Sequence, residues 1–161
     1  MDRWTDPWDA VATHWAIWRD NRIVAAARLS IHNRLSELPN AEIFEGVLSG
    51  DLPGPIGSLN RLVVAPEMAG QGLSLALDKV RIDHARDCQC LHLVGETYAG
   101  MKRMAQLESF GFQRAGLSAP YASGPLSIVK RELGGRFFSS SNCDLPQSTA
   151  GADIVMMRLT E

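Results

Sequence analysis

Cysteine is scarce: Cys88, Cys90 and Cys143 are the three in 161 residues. Three cannot make a disulfide framework, and the Cys88-x-Cys90 pair has no second such pair or histidine pair to complete a zinc site. Reduced thiols and no metal centre are expected. Long apolar runs are also missing; none approaches the ~20 residues of a membrane span. The opening MDRWTDPWDA has no apolar core of signal-peptide type. A cytoplasmic protein without membrane attachment is expected. Neither sign of charge dominates, with 16 Lys and Arg against 18 Asp and Glu for a net charge of −2. No Lys/Arg run marks a nucleic-acid surface, so no nucleic-acid partner is expected. Tyrosine is nearly absent, with only Tyr98 and Tyr121.

What is present is ordinary for a globular protein: 45% apolar and 21% charged residues. That length and composition suit one domain, residues 1–161, with a core of its own. THWAIWRDNRIVAAARLSIH reads as a hairpin. Asp20 and Asn21 tolerate positive φ and suit its turn. In the second strand Ile23, Ala25, Ala27, Leu29 and Ile31 share one face, and Val24, Ala26, Arg28, Ser30 and His32 the other. Arg28 in mid-strand is either a cation at the solvent rim or a functional one. In LPNAEIFEGVLSGDLPGP, Asn40 is placed to cap a short helix whose stripe is Ile43, Phe44, Val47 and Leu48, with Gly50 as its stop.

Residues 58–65 read as a buried strand, followed by Pro66, a glycine loop and a helix from Leu73. Leu73, Ala76, Leu77 and Val80 form that helix's apolar stripe, while Asp78, Lys79, Arg81, Asp83 and Arg86 are expected on its surface. CLHLVGETY reads as a strand, GMKRMAQLES as a helix and FGFQRAG as a turn into a strand. GPLSIVKREL is strand or helix, GGRFFSSSNCDLPQSTAG an exposed loop, and ADIVMMRLT a closing strand. A mixed α/β sheet results, antiparallel at its start, with a parallel crossover in the middle and an antiparallel end.

A strand that feeds a helix through Gly70-Gln71-Gly72 points several backbone N–H groups at one spot and suits a phosphate. Two phosphate-binding patterns fail. A P-loop needs a lysine directly after its second glycine, and the nearest here is Lys79; a dinucleotide fingerprint needs a third glycine where Leu75 stands. A third fits. LVVAPEMAGQGLSLAL resembles the central motif of the GNAT superfamily of CoA-dependent N-acyltransferases. The motif's loop, [QR]-x-x-G-x-[GA], falls on Ala69, Gly70, Gln71, Gly72, Leu73 and Ser74. Ala69 departs from the usual Arg or Gln and Ser74 from Gly or Ala; the backbone cradle survives both. MAQLESFGFQRAG resembles the family's later motif, with Glu108, Phe110, Gly111 and Phe112 in register. The resemblance covers residues 13 to about 116.

The resemblance implies the GNAT fold: a mixed central sheet with a splayed parallel pair, flanked by helices. It implies acetyl-CoA or another acyl-CoA with its pyrophosphate on residues 69–74, and a small-molecule or peptide amine as acceptor. It implies that backbone groups of Leu62, Val63 and Val64 pair with pantetheine, and that an N–H near Val64 faces the developing oxyanion. The family's usual acid, a tyrosine, aligns with Leu107, so Tyr98 becomes the candidate acid. Candidate bases are Glu96, His32, His92 and Glu45, with Glu96 nearest the acyl group in this fold. A homodimer is allowed.

AARLSIHNRLSELPNAEIFEGVL and GSLNRLVV also resemble the acyl-homoserine-lactone and N-acyl amino acid synthases of the same fold. Arg28 and Arg61 match two of their positions, which implies an acceptor pocket or an acyl-carrier surface there, with acyl-ACP as an alternative donor. The acidic residue these synthases place three before the second arginine is Ser58 here. A sensor that binds acyl-CoA without turnover is the reading from a different class.

Overall fold

The computed structural model describes residues 5–48, 52–98, 101–117, 126–132 and 154–158. Strands Thr13–Arg19 (β1) and Arg22–His32 (β2) form the expected hairpin. Asp20 and Asn21 at its turn have φ of 48° and 58°, the left-handed region a two-residue hairpin requires. Next come the short helix Ala41–Glu45 (α1), the strand Ile56–Val64 (β3), the helix Leu73–Asp87 (α2) and the strand His92–Tyr98 (β4). Met101–Ser109 (α3) then leads to strands Gln113–Leu117 (β5), Leu126–Glu132 (β6) and Ile154–Arg158 (β7).

Among the described residues the strands make one sheet in the order β5-β6-β4-β3-β2-β1-β7. β3 and β4 run parallel, as the α2 crossover between them demands, and β4, β6 and β5 pair antiparallel. The ambiguous GPLSIVKREL contains a strand, β6. The closing strand differs from expectation: β7 lies at the opposite edge, parallel to β1, instead of extending the antiparallel end. It takes up backbone groups that β1 would otherwise leave open at the sheet's edge. Tyr121, Cys143, the stop at Gly50 and the serine- and glycine-rich loop lie outside the described residues.

One face of the sheet carries the main core. Trp15, Ile17, Ala27, Leu29, Leu59 and Leu93 pack there with Leu73, Leu77, Ile82 and Ala85 of α2 and with Met104 and Leu107 of α3. Leu77 is wholly buried; truncating such a residue to alanine costs about 2–5 kcal/mol. On the other face Ile56 and Val94 pack with Leu35, Leu38, Phe44 and Leu48 of the connector that holds α1.

Two residues expected on the surface of α2 are buried. Asp78 and Arg81 form a 2.5 Å ion pair, and Arg103 of α3 also pairs with Asp78. The reason lies in the sheet. Arg81 Nη1 donates to the carbonyls of Arg28 at 3.3 Å and Asn60 at 3.4 Å. These acceptors lie where β3 departs from regular pairing, and Asp78 supplies the counter-charge that lets a guanidinium reach them.

Candidate active site

β3 shapes the site through a bulge and a parting. Ala26 faces Val63 and Arg28 faces Asn60, so β3 spends one residue more than β2. The extra residue is Arg61, at φ 51°, and such a bulge bends its strand. On the other edge, β3 pairs with β4 only from Ile56 opposite His92 to Leu59 opposite Gly95. Beyond that point the strands part. The edge of β3 beyond Leu59 borders the opening, and Glu96 is the first β4 residue past the fork.

The glycine loop lies where β3 ends. Gly70 and Gly72 have φ of 79° and 78°, and a Cβ at either would meet nothing within 4 Å. Backbone conformation therefore sets the demand for glycine here, and the loop's outer side is open to a ligand. Gly72 is the N-cap of α2 and offers no side-chain cap. Among the described residues no backbone carbonyl accepts from the N–H groups of Gly70, Gln71, Gly72, Leu73 or Ser74. The first turn of α2 has no acidic side chain to balance its positive end. This arrangement fits an anion that brings several acceptor oxygens.

Glu96 sits on the connector's face of the sheet. Its Oε1 accepts a 2.9 Å hydrogen bond from Asn40 Nδ2, and its Oε2 is buried without a partner among the described residues. Burial pushes its carboxyl above the ordinary range; the Asn40 hydrogen bond opposes this and the nearby charge of Glu42 adds to it. Asn40 stands at the N-cap of α1, as expected, but makes no capping bond; its φ is 58° and its side chain goes to Glu96 instead.

Arg28 is not a rim residue. It is 2% exposed. Its Nη1 pairs with Asp6 Oδ1 at 2.7 Å and Asp9 Oδ1 at 2.5 Å, and its Nε bonds Asn60 Oδ1. Asp6 also pairs with Arg61 at 2.6 Å. The carboxylate expected from an acceptor thus comes from the chain itself, on the turn Pro7–Ala10, whose Asp6 and Asp9 form a capping box. Pairing with carboxylates is what lets Arg28 be buried between strands. A substrate carboxylate on this pair would have to displace Asp6 and Asp9.

The other candidates are dispersed. His32 is buried, with Nε2 2.9 Å from Ser30 Oγ, and burial lowers its pKa. His92 meets the Pro53 carbonyl at 3.0 Å, a structural tie at the start of β4. Glu45 is exposed on α1. Leu107, which the resemblance aligns with the family's tyrosine, is a core residue. Tyr98 ends β4; its side chain lies outside the described residues. Cys88 Sγ lies 3.6 Å from His84 Nε2, and Cys90 is buried in the core. Among the described residues no three His, Cys, Asp or Glu side chains gather as a metal group. No described helix is long and apolar enough to cross a membrane.

Sequence reading missed the partners Asp6, Asp9, Asn40 and Asn60. Asp6-Pro7-Trp8-Asp9 did carry a signal, the spacing of a capping box ahead of a helical turn.

Solved structures described as acetyltransferases share this fold. The structure superposes on ribosomal-protein-S18-alanine N-acetyltransferase from Escherichia coli with a TM-score of 0.54 and 18% identity, covering 78% of this chain and 71% of that one. Ribosomal-protein-alanine N-acetyltransferase from Brucella melitensis gives 0.53 and 21%, over 73% and 67%. The Salmonella typhimurium protein yncA, solved with its cofactor acetyl-CoA, gives 0.53 and 14%, over 78% and 66%. No curated protein sequence matches the chain. Residues 1–112, which include the fork, the glycine loop and Glu96, match the model of the acetyltransferase (GNAT) family, and the chain belongs to that family.

Proposed function

We propose that the chain transfers an acetyl group from acetyl-CoA to the primary amine of a small-molecule or peptide acceptor. One observation carries this reading: the β3–β4 fork opens beside a glycine loop whose N–H groups, like the buried Oε2 of Glu96 at the fork, have no partner among the described residues. In this reading residues 69–74 hold the pyrophosphate through Ala69, Gly70, Gln71, Gly72, Leu73 and Ser74. Leu62, Val63 and Val64 form the strand edge along which the pantetheine arm would lie, and an N–H near Val64 would polarise the thioester carbonyl.

When bound, acetyl-CoA supplies the thioester. An ammonium cannot attack it, so Glu96 takes the amine's proton; its raised pKa makes it a better base than an ordinary carboxylate once ionised. The N–C bond would form as the C–S bond breaks; Tyr98 would give its proton to the departing thiolate and recover one from the acylated nitrogen. Asn40 orients Glu96 and leaves Oε2 for the amine. Arg28 and Arg61, tied by Asp6, brace the bulge rather than bind the acceptor. CoA is favoured over an acyl carrier as donor because the carrier's arm has one phosphate, whereas the loop offers a run of N–H groups.

Thiol release from acetyl-CoA with a panel of amines tests the proposal. Release with at least one amine is expected, and its loss in Glu96→Gln with CoA binding retained. CoA binding without release for any amine would favour a sensor; absence of both would defeat the reading.

A further inference from the structure

Arg19, at the end of β1, lies over the glycine loop. Its Nη1 is 3.5 Å from Gln71 Oε1 and 3.5 Å from Met68 Sδ. The contact to Gln71 is long, a thioether sulfur is a weak acceptor, and both acceptors are neutral. Across the hairpin Arg19 faces Arg22, and like charges directly opposite one another destabilise a strand pair. Glu67 relieves only one of the two, because its ion pair is with Arg22. Among the described residues Arg19 has no carboxylate partner. Beside it lies the N-terminus of α2, whose partial positive charge has no acidic side chain in the first turn. Ala69, at the start of the loop, contributes no side-chain donor. A cation held by weak neutral contacts against an uncompensated helix end is poised for an anion that meets both.

We propose that Arg19 is the loop's phosphate-pairing cation and contacts the pyrophosphate of CoA from the β1–β2 hairpin. The inference rests on the proposed CoA site. It assigns to the hairpin tip a binding role that the loop sequence alone does not contain. Gln71 then acts as a guide: its Oε1 holds the guanidinium above Gly70 and Gly72 before the phosphates arrive. Arg22 is excluded from this role by its pair with Glu67.

Titration calorimetry on the full chain tests it, using CoA and dephospho-CoA as ligands and Arg19→Gln and Arg22→Gln as variants. Exposed ion pairs are modest, so Arg19→Gln should weaken CoA binding about two- to fivefold at low salt, with the difference shrinking as salt rises. Dephospho-CoA, which keeps the pyrophosphate, should lose affinity by the same factor. Arg22→Gln should leave both affinities unchanged. Equal affinity of wild type and Arg19→Gln for CoA would overturn the inference while leaving the CoA site intact. A loss confined to CoA would move the contact to the 3′-phosphate and overturn the assignment to pyrophosphate. If the wild type bound neither ligand, the proposed function would fall as well.

Discussion

Asn40 Nδ2 lies 2.9 Å from Glu96 Oε1, joining residues 56 apart in sequence. The bond fixes one oxygen of the carboxylate and leaves the other, Oε2, buried at the fork without a partner among the described residues. Because it favours the ionised form, it also offsets part of the pKa rise that burial imposes. Glu96→Gln should lower kcat by about 10²–10⁴ with little change in CoA affinity. Asn40→Ala should raise the Glu96 pKa further and move the acidic limb of the kcat–pH profile to higher pH. An unmoved limb in Asn40→Ala would mean that Glu96 is not the base.

Tyr98→Phe is the second kinetic test. Leu107, which the sequence resemblance aligns with the family's tyrosine, lies in the core and has no proton to give. Turnover should fall roughly a hundredfold while CoA affinity holds. An undiminished rate would leave water as the donor to the thiolate.

The turn bearing Asp6 and Asp9 should respond to acid. Burial alone raises both carboxyls, but Arg28, with Arg61 on Asp6 and the Asp6 N–H on Asp9, brings them below their ordinary value. A lowered folded-state pKa gives stability that is complete above the unfolded-chain value of 3.8 and lost as pH falls through the folded value. Wild type should therefore lose stability in that acid window. The Asp6→Asn, Asp9→Asn double variant should be weaker at pH 7 and flatter below about pH 4. Parallel denaturation curves for the two proteins across that range would contradict the pairing. Acylation should also show no preference for a free amino acid over its amide, since Arg28 is committed; a preference abolished by Arg28→Met would return Arg28 to the acceptor site.

Asp78 neutralises Arg81, which is 1% exposed, and also Arg103. Asp78→Asn leaves a buried guanidinium uncompensated and should cost about 3–5 kcal/mol in urea denaturation. A change below about 1 kcal/mol would show that the triad is not what ties α2 to the bulge.

Features that depend on neighbouring residues were legible in the sequence. Asp20-Asn21 announces the hairpin, the spacing of Leu73, Leu77 and their neighbours announces α2, and the two glycines announce a loop between strand and helix. What was not legible spans distance. Arg28 finds Asp6 at a separation of 22 and Asn60 at 32, and Arg81 reaches the Arg28 carbonyl across 53. Charge in a mid-strand or helical position shows only that a partner is required, not where it comes from. Asn40 stands at the cap position its sequence suggested, but its bond was not legible for a related reason: an N-cap asparagine has a local use and a distant one, and only the fold brings Glu96 within reach. β7 was legible as a strand, but no local pattern tells which sheet edge a final strand will take.

CoA binding to Gly72→Glu, set against Gly72→Ala, tests the central claim most directly. Gly72 has φ 78° and open space at its Cβ. Alanine therefore brings backbone strain of about 1–2 kcal/mol, whereas glutamate adds a negative charge at the proposed pyrophosphate position. The account predicts that the alanine variant keeps CoA affinity within a few-fold and that the glutamate variant loses it by at least roughly a hundredfold, both remaining folded by circular dichroism. A glutamate variant that binds CoA as the wild type does would contradict the assignment of residues 69–74 to the cofactor.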